Sequence, residues 1–319
     1  MKRAEILERL GFHVPANKVK RVIVHSDIAA EADDQFAIVH HLLTPTENIV
    51  GIIAANFEWK YRTLPALKSM RLQSMEKSYA EGKKLLQLMD IDDVPVFKGA
   101  LDCIGDSGDL PISEGSRFII EQAMQECEEP LYVVLQGTLT DLAVAYLTEP
   151  KIAEHIEAAI WIGGGAYPDG GMEFNLQQDI RAAQVLFQSP INIWQVPKNA
   201  YSQMRVSFAE LMTKVKPCGP LGEYLVEGIF RVNNDFAKTL GRNSFTHGET
   251  WAIGDQPTVS VLLESDAGAK FHMEKAPLIG NDMTYTVDPN GKLIRVYDDI
   301  DTRLTTADLF AKLELCYRR

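Results

Sequence analysis

Arg21-Val-Ile-Val-His-Ser-Asp-Ile-Ala-Ala-Glu-Ala-Asp-Asp34 opens with a short apolar run, Arg21 to Val24. The run is rich in β-branched residues and too short for a helix, which predicts a buried strand. It leads into Asp27, a small-residue loop (Ile28-Ala29-Ala30), and then Glu31, Asp33 and Asp34. From Gln35 to Leu43 the apolar residues Phe36, Ile38, Val39, Leu42 and Leu43 fall at helical spacing. Carboxylates thus gather where a first strand ends and a first helix begins, which is where open α/β sheets bind ligands. Four carboxylates in eight residues repel one another, so a hard, oxygen-seeking cation such as Ca²⁺ or Mg²⁺ is expected among them. A plain helix N-terminus would account for Asp33 and Asp34 through the dipole, but not for Asp27 at the strand end.

Outward from this point, strand and helix signals alternate. Strands are predicted at Ile49–Ala55 (ending at Asn56), Pro95–Gly99, Leu131–Gln136, Ala158–Ile162 and Ile191–Val196. Between them lie helical patterns at Leu64–Met89 (broken once), Ser113–Met124, Asp141–Leu147 and Asp179–Phe187. The glycine-rich, acidic stretch Ala100–Ser113 is predicted to be an exposed loop. Strands separated by helices of this length predict an α/β fold with a doubly wound, mostly parallel sheet flanked by helices. The last third differs. Ser207–Leu240 is helical with a break near Pro217–Pro220, Asn290-Gly291 between alternating apolar runs predicts a C-terminal β-hairpin, and Thr305–Leu315 predicts a closing helix. No Gly/Pro/Ser-rich linker divides the 319 residues, so residues 1–319 are expected to form a single domain.

The formal net charge of −12 disfavours nucleic acid or an anionic membrane surface as the main partner. It suits a neutral or cationic small ligand, or a metal. The amino-terminal stretch has charges scattered through it and no apolar core, and no run approaches the length of a membrane span. Cys103, Cys127, Cys218 and Cys316 form no CxxC pair or zinc spacing. Four reduced thiols in a cytoplasmic protein are the expectation.

Further chemistry-bearing residues sit at the junctions. Asn56 ends the second strand, and Gly137-Thr-Leu-Thr140 precedes a helix. Gly163-Gly-Gly165 starts a loop that delivers Glu173 and Asn175. Trp251-Ala-Ile-Gly-Asp255 leads to a helix with Pro257 in its first turn. Each has an ordinary explanation, as a tight turn or an N-cap. The glycines match neither phosphate-loop pattern. Trp251 and Tyr167 could stack on a base or sugar, whereas Trp161 is expected to pack and His40 and His41 to be packing or surface residues, not ligands.

In combination, the strand-end Asp27, EADDQFAI, LQGTLTDLA, IGGG…MEFN…DIRAA and GDQPTV, in that order, resemble the inosine-uridine-preferring nucleoside hydrolases, which are calcium-dependent N-ribohydrolases. The resemblance covers about residues 20 to 265. The chain is similar to a variant branch, with two extra residues between the strand-end Asp and the Asp pair of the family's Asp-x-Asp-Pro-Gly-x-Asp-Asp opening. It implies hydrolysis of a ribonucleoside or related riboside to ribose and free base, with a role in purine or pyrimidine salvage. Asp27 would be the base that activates water. Ca²⁺ would be held by Asp27, Asp34, Asp255 and the carbonyl of Thr140. Asp33, Glu173 and Asn175 would hold the ribose, with Asn56 and Trp251 as further substrate contacts. A homo-oligomer, dimer or tetramer, is expected on the same ground.

Four departures stand out. The family's first Asp is His25, with Ser26 after it; the third residue of its Leu-Thr-Asn turn is Asp141; the histidine preceding its late Asp is Gly254; and the Asn of its glycine loop has no clear counterpart between Gly165 and Glu173. His247 is the candidate to replace the missing leaving-group acid. Two other readings stand beside hydrolysis. One is a metal- and sugar- or nucleoside-binding protein of the same fold with impaired turnover. The other, ranked last, is a haloacid-dehalogenase-type phosphohydrolase, whose nucleophilic Asp would fall at His25.

Overall fold

The computed structural model describes every residue except 64, 105–111, 241–247, 265–267 and 319. In chain order the strands among the described residues are β1 (Lys20–Ser26), β2 (Glu47–Ala54), β3 (Val96–Lys98), β4 (Leu131–Gln136), β5 (Ile156–Ile162), β6 (Ile193–Val196), β7 (Arg205–Ser207), β8 (Thr250–Ala252), β9 (Lys270–Lys275), β10 (Leu278–Ile279), β11 (Tyr285–Thr286) and β12 (Leu293–Asp299). Eight of them make one sheet in the order β3-β2-β1-β4-β5-β6-β12-β9. Every neighbouring pair is parallel except β12 with β9.

The period of two along β1 explains why this strand is central. Val22 and Val24 enter the core on one face of the sheet, and Ile23 enters the core on the other. Helices cover both faces, so β1 and β4 read as nearly continuous apolar runs. The helix Asp34–Leu42 is buried along its whole length, which is why its apolar spacing is supplemented by His40 and His41.

From β1 the chain winds outward to β2 and β3, then returns to place β4, β5 and β6 on the other side. The order reverses between β1 and β4. Their carboxyl ends therefore flank a crevice at the topological switch point.

The predicted break in Leu64–Met89 falls just before the helix Ser74–Met89, where Leu72 has φ 61°. The closing helix is longer than its pattern, Thr302–Tyr317. The predicted C-terminal hairpin is not what forms. Asn290 and Gly291 do make a turn closed by Asp288, but its flanking strands pair elsewhere. β11 pairs with β10, and β12 inserts between β6 and β9. Burial decides this: Ile294, Val296 and Tyr297 have a sheet core to enter, which a free ribbon would not give them. Strand β9 carried little signal because it is an edge strand of alternating charged and apolar residues, half-exposed throughout. Of the expected loop Ala100–Ser113, residues 105–111 lie outside the described residues. The four cysteines are free thiols, and no helix among the described residues is long and apolar enough to cross a membrane.

Candidate active site

β1 ends at Ser26 and puts Asp27 at the mouth of the crevice. There the Asp27 carbonyl accepts from Ala30 N–H at 2.7 Å, tightening the small-residue loop. Beside it, the chain leaves β4 through Gly137, where a Cβ would lie 2.9 Å from the Asp27 carboxyl carbon. Glycine is required there because the acid packs directly on the exit of β4.

Asp33 and Asp34 open the next helix, and Asp255 precedes the helix Pro257–Leu263. Ser26 Oγ donates to Asp34 Oδ1 at 2.5 Å, and Gly254 N–H donates to Asp33 Oδ2 at 2.9 Å. One carboxylate oxygen from each of Asp33, Asp34 and Asp255 lies within 4.8 Å of the others.

Burial pushes the Asp33 carboxyl up to about 6. Burial, then the charge of Asp33, pushes Asp34 up to about 7. Asp255 is raised well above the carboxylate range by burial and by Asp34, Asp33, Asp27 and Glu31. Crowded carboxylates of this kind are an incomplete electrostatic arrangement that a hard cation with oxygen ligands completes.

Across the cavity, Glu173 is fully buried and accepts from four donors. Gly164 N–H and Leu176 N–H reach Oε2 at 2.8 and 2.9 Å, while Asn175 N–H and Tyr201 O–H reach Oε1 at 3.1 and 2.8 Å. Burial still holds its carboxyl above the ordinary range. Asn175 is anchored by its amide on the Ile162 carbonyl, 2.9 Å away.

One cavity brings together six of the residues singled out in the sequence: Asp27, Asp33, Asp34, Glu173, Asn175 and Asp255. Three others are not on its wall. Asn56 is buried in a turn, its amide on the Ala100 carbonyl and its Oδ1 accepting from Glu58 N–H. Thr140 is buried at the first position of its helix, Thr140–Thr148, with its hydroxyl bonded to Asp179 and Thr138. Trp251 is 3% exposed and packs in the main core. His247 lies outside the described residues.

The cavity also includes Gln136 and Tyr201, which the sequence reading missed. Gln136 could have been found, since it ends β4 just as Asp27 follows β1. Tyr201 could not, because only tertiary packing brings it here.

Two of the departures noted above turn out to be one contact. His25 Nε2 lies 2.9 Å from Asp141 Oδ2, both side chains fully buried. Asp141 also accepts from Ala100 N–H, Ser113 Oγ and Ser116 Oγ. Burial works to raise its carboxyl, but the bonds from His25, Ser113 and Ala100 hold it below the usual range. This buried position therefore keeps a carboxylate, carried by the opposite partner.

The family model described as inosine-uridine preferring nucleoside hydrolase matches residues 22–303. The chain belongs to this family. Among curated relatives, the probable uridine nucleosidase 2 of Arabidopsis thaliana is 26% identical over 65% of this chain and 67% of its own length. A pyrimidine-specific ribonucleoside hydrolase, RihA of Escherichia coli O1:K1, is 28% identical over 50% of this chain and 55% of its own. The chain thus aligns with little more than half of that enzyme. Among solved structures, the purine-preferring ribonucleoside hydrolase from Gardnerella vaginalis superposes with a TM-score of 0.72 at 18% identity. That match covers 93% of this chain and 99% of the other. The doubly wound sheet is accordingly the nucleoside hydrolase fold.

Proposed function

We propose that this nucleoside hydrolase family member cleaves the N-glycosidic bond of a ribonucleoside or related riboside to free base and ribose. The observation that carries the reading is the convergence of Asp27, Asp33, Asp34, Glu173, Asn175 and Asp255 on one cavity at the switch point. These residues come from three distant parts of the chain.

Asp27 is the base. It takes a proton from water as the water oxygen bonds to the anomeric carbon, and the glycosidic C–N bond breaks with its electron pair leaving on the base nitrogen. The transition state is oxocarbenium-like, so fixed carboxylates around the sugar stabilise it. Asp33 and Asn175 orient sugar hydroxyls. The departing base takes up a proton, for which His247 is the residue to test.

Asp27, Asp34 and Asp255 are the residues that would hold Ca²⁺. Thr140 is not proposed, because Gln136, the residue that ends β4, lines the cavity and Thr140 does not. When bound, the ion supplies positive charge that acidifies water and takes hydroxyl oxygens as ligands.

The names of the relatives pull towards uridine and that of the structural neighbour towards purines, so both must be assayed. Release of ribose from uridine and inosine, measured with added Ca²⁺ and with a chelator, tests the reading. Ribose release that the chelator abolishes supports it. Binding of nucleoside without release of ribose would instead favour the impaired-turnover alternative, which the glycine at position 254 motivates.

A further inference from the structure

The four donors to Glu173 leave it nothing to offer a ligand. A carboxylate has about four lone-pair positions, and Gly164, Leu176, Asn175 and Tyr201 fill them. Three of these donors are backbone N–H groups fixed by the turn and helix they belong to. Only the phenol of Tyr201 is a side chain facing the cavity. Both residues line the cavity, and of the two it is the phenol oxygen that keeps a free accepting position for a sugar hydroxyl.

The position of the ring is set from the opposite side. A Cβ at Gly254 would stand 3.2 Å from Tyr201 Cδ2 and 3.7 Å from Cε2. Any side chain at position 254 would press on the ring. The missing histidine at 254 and the presence of Tyr201 are therefore one arrangement, in which the ring uses the space that a side chain would need.

We propose that Tyr201 contacts the glycone itself, its oxygen accepting a hydrogen bond from one sugar hydroxyl while its O–H donates to Glu173. A phenol oxygen that donates its one hydrogen still accepts, and the buried Glu173 fixes the direction in which that hydrogen points. Burial, followed by Glu173, Asp255 and Glu31, raises the phenol far above its ordinary value, so the proton stays on the oxygen. Glu173, assigned to ribose by the family resemblance, then acts through Tyr201. The proposal deepens the ribosyl-hydrolase reading and rests on it.

The test is Tyr201→Phe, which keeps the ring over Gly254. Kinetics would be measured on a ribonucleoside and its 2′-, 3′- and 5′-deoxy analogues. Binding of ribose and the matching deoxy sugars would be measured in parallel by calorimetry, with Ca²⁺ present. Removing one uncharged hydrogen bond should weaken full ribosides by about three- to tenfold. On one of the three deoxy analogues, the one lacking the hydroxyl that Tyr201 reads, the penalty should vanish.

An equal penalty on every analogue would overturn the proposal and leave Tyr201 a support for Glu173. No penalty at all, or tighter binding as Glu173 becomes free, would overturn it too. If the wild-type protein turns over no nucleoside but the calorimetric pattern appears, the contact stands and the hydrolase reading falls. If ribosides are hydrolysed without that pattern, the hydrolase reading stands and the contact falls. Neither turnover nor sugar binding would remove both.

Discussion

Asp27 sits in a cluster whose members repel one another, so its removal separates chemistry from stability. Asp27→Asn is expected to lower kcat by at least about two orders of magnitude. Its thermal midpoint without metal should be no lower than that of the wild type. Activity within a few-fold of wild type would place the base elsewhere. His247→Ala tests the leaving-group acid: it should slow inosine far more than p-nitrophenyl riboside, whose leaving group departs without help. Equal losses on both would assign His247 to binding or loop structure. Lys292 offers a pH test away from the site. Its Nζ donates to the Leu186 and Ile191 carbonyls, and burial lowers its pKa from 10.5 to about 7. A depressed folded-state value means that the contribution is present above 10.5 and lost as pH falls to about 7. Urea midpoints of wild type should therefore decline relative to Lys292→Met across that window, and a constant difference would mean an ordinary ammonium.

The helix that begins at Asp34 is held at its far end by two histidines. His40 Nδ1 lies 2.6 Å from Gln256 Oε1, and His41 Nε2 lies 2.9 Å from Thr258 Oγ1. These contacts tie the helix bearing Asp34 to the segment just after Asp255, and Gln136 reaches the same Thr258 hydroxyl at 2.7 Å. His41 also pairs with the fully buried Glu47 at 2.5 Å. Leaving a buried charge uncompensated costs about 3 kcal/mol or more. His41→Leu should lose that amount in chemical denaturation, and the double variant His41→Leu/Glu47→Leu should recover most of it. A single variant as stable as wild type would mean that the His41–Glu47 contact contributes nothing net to folding. Of the two places expected for these histidines, packing or the surface, the structure gives burial; Gln256 and Thr258, the partners that fix them to the Asp255 segment, lie 216 and 217 positions away, beyond what local spacing reveals.

At the scale of the whole molecule, the sheet and the acidic centre were legible because both rest on short-range patterns. Short, continuous, β-branched apolar runs mark β1 and β4, and carboxylates at strand ends mark Asp27 and the pair Asp33–Asp34. Glu173, Asn175 and Asp255 needed the order of several motifs taken together. Tyr201 and Gln136 depend on which strand lies beside which, and β9 depends on an edge that apolar spacing does not mark. If the acids hold Ca²⁺, the folded chain binds it and the unfolded chain does not. Free Ca²⁺ at about 100 times Kd should then add roughly 2.7 kcal/mol to unfolding. A thermal midpoint that Ca²⁺ leaves unmoved, while another divalent ion raises it, would reassign the metal. Light scattering with and without the ion would test the expected dimer or tetramer in the same samples.

Asp33 is tied to Gly254 across 221 positions, and this sets an order of events during synthesis. A ribosome delivers the first three acids early and the segment with Asp255 only after most of the chain has emerged. At ordinary elongation rates the interval is on the order of ten seconds or more. Throughout it Asp33 and Asp34 lack the segment that folds against them, including the Gly254 N–H that binds Asp33. If these acids hold an ion, it is therefore the folded chain, with both segments joined, and not the early nascent chain that selects it.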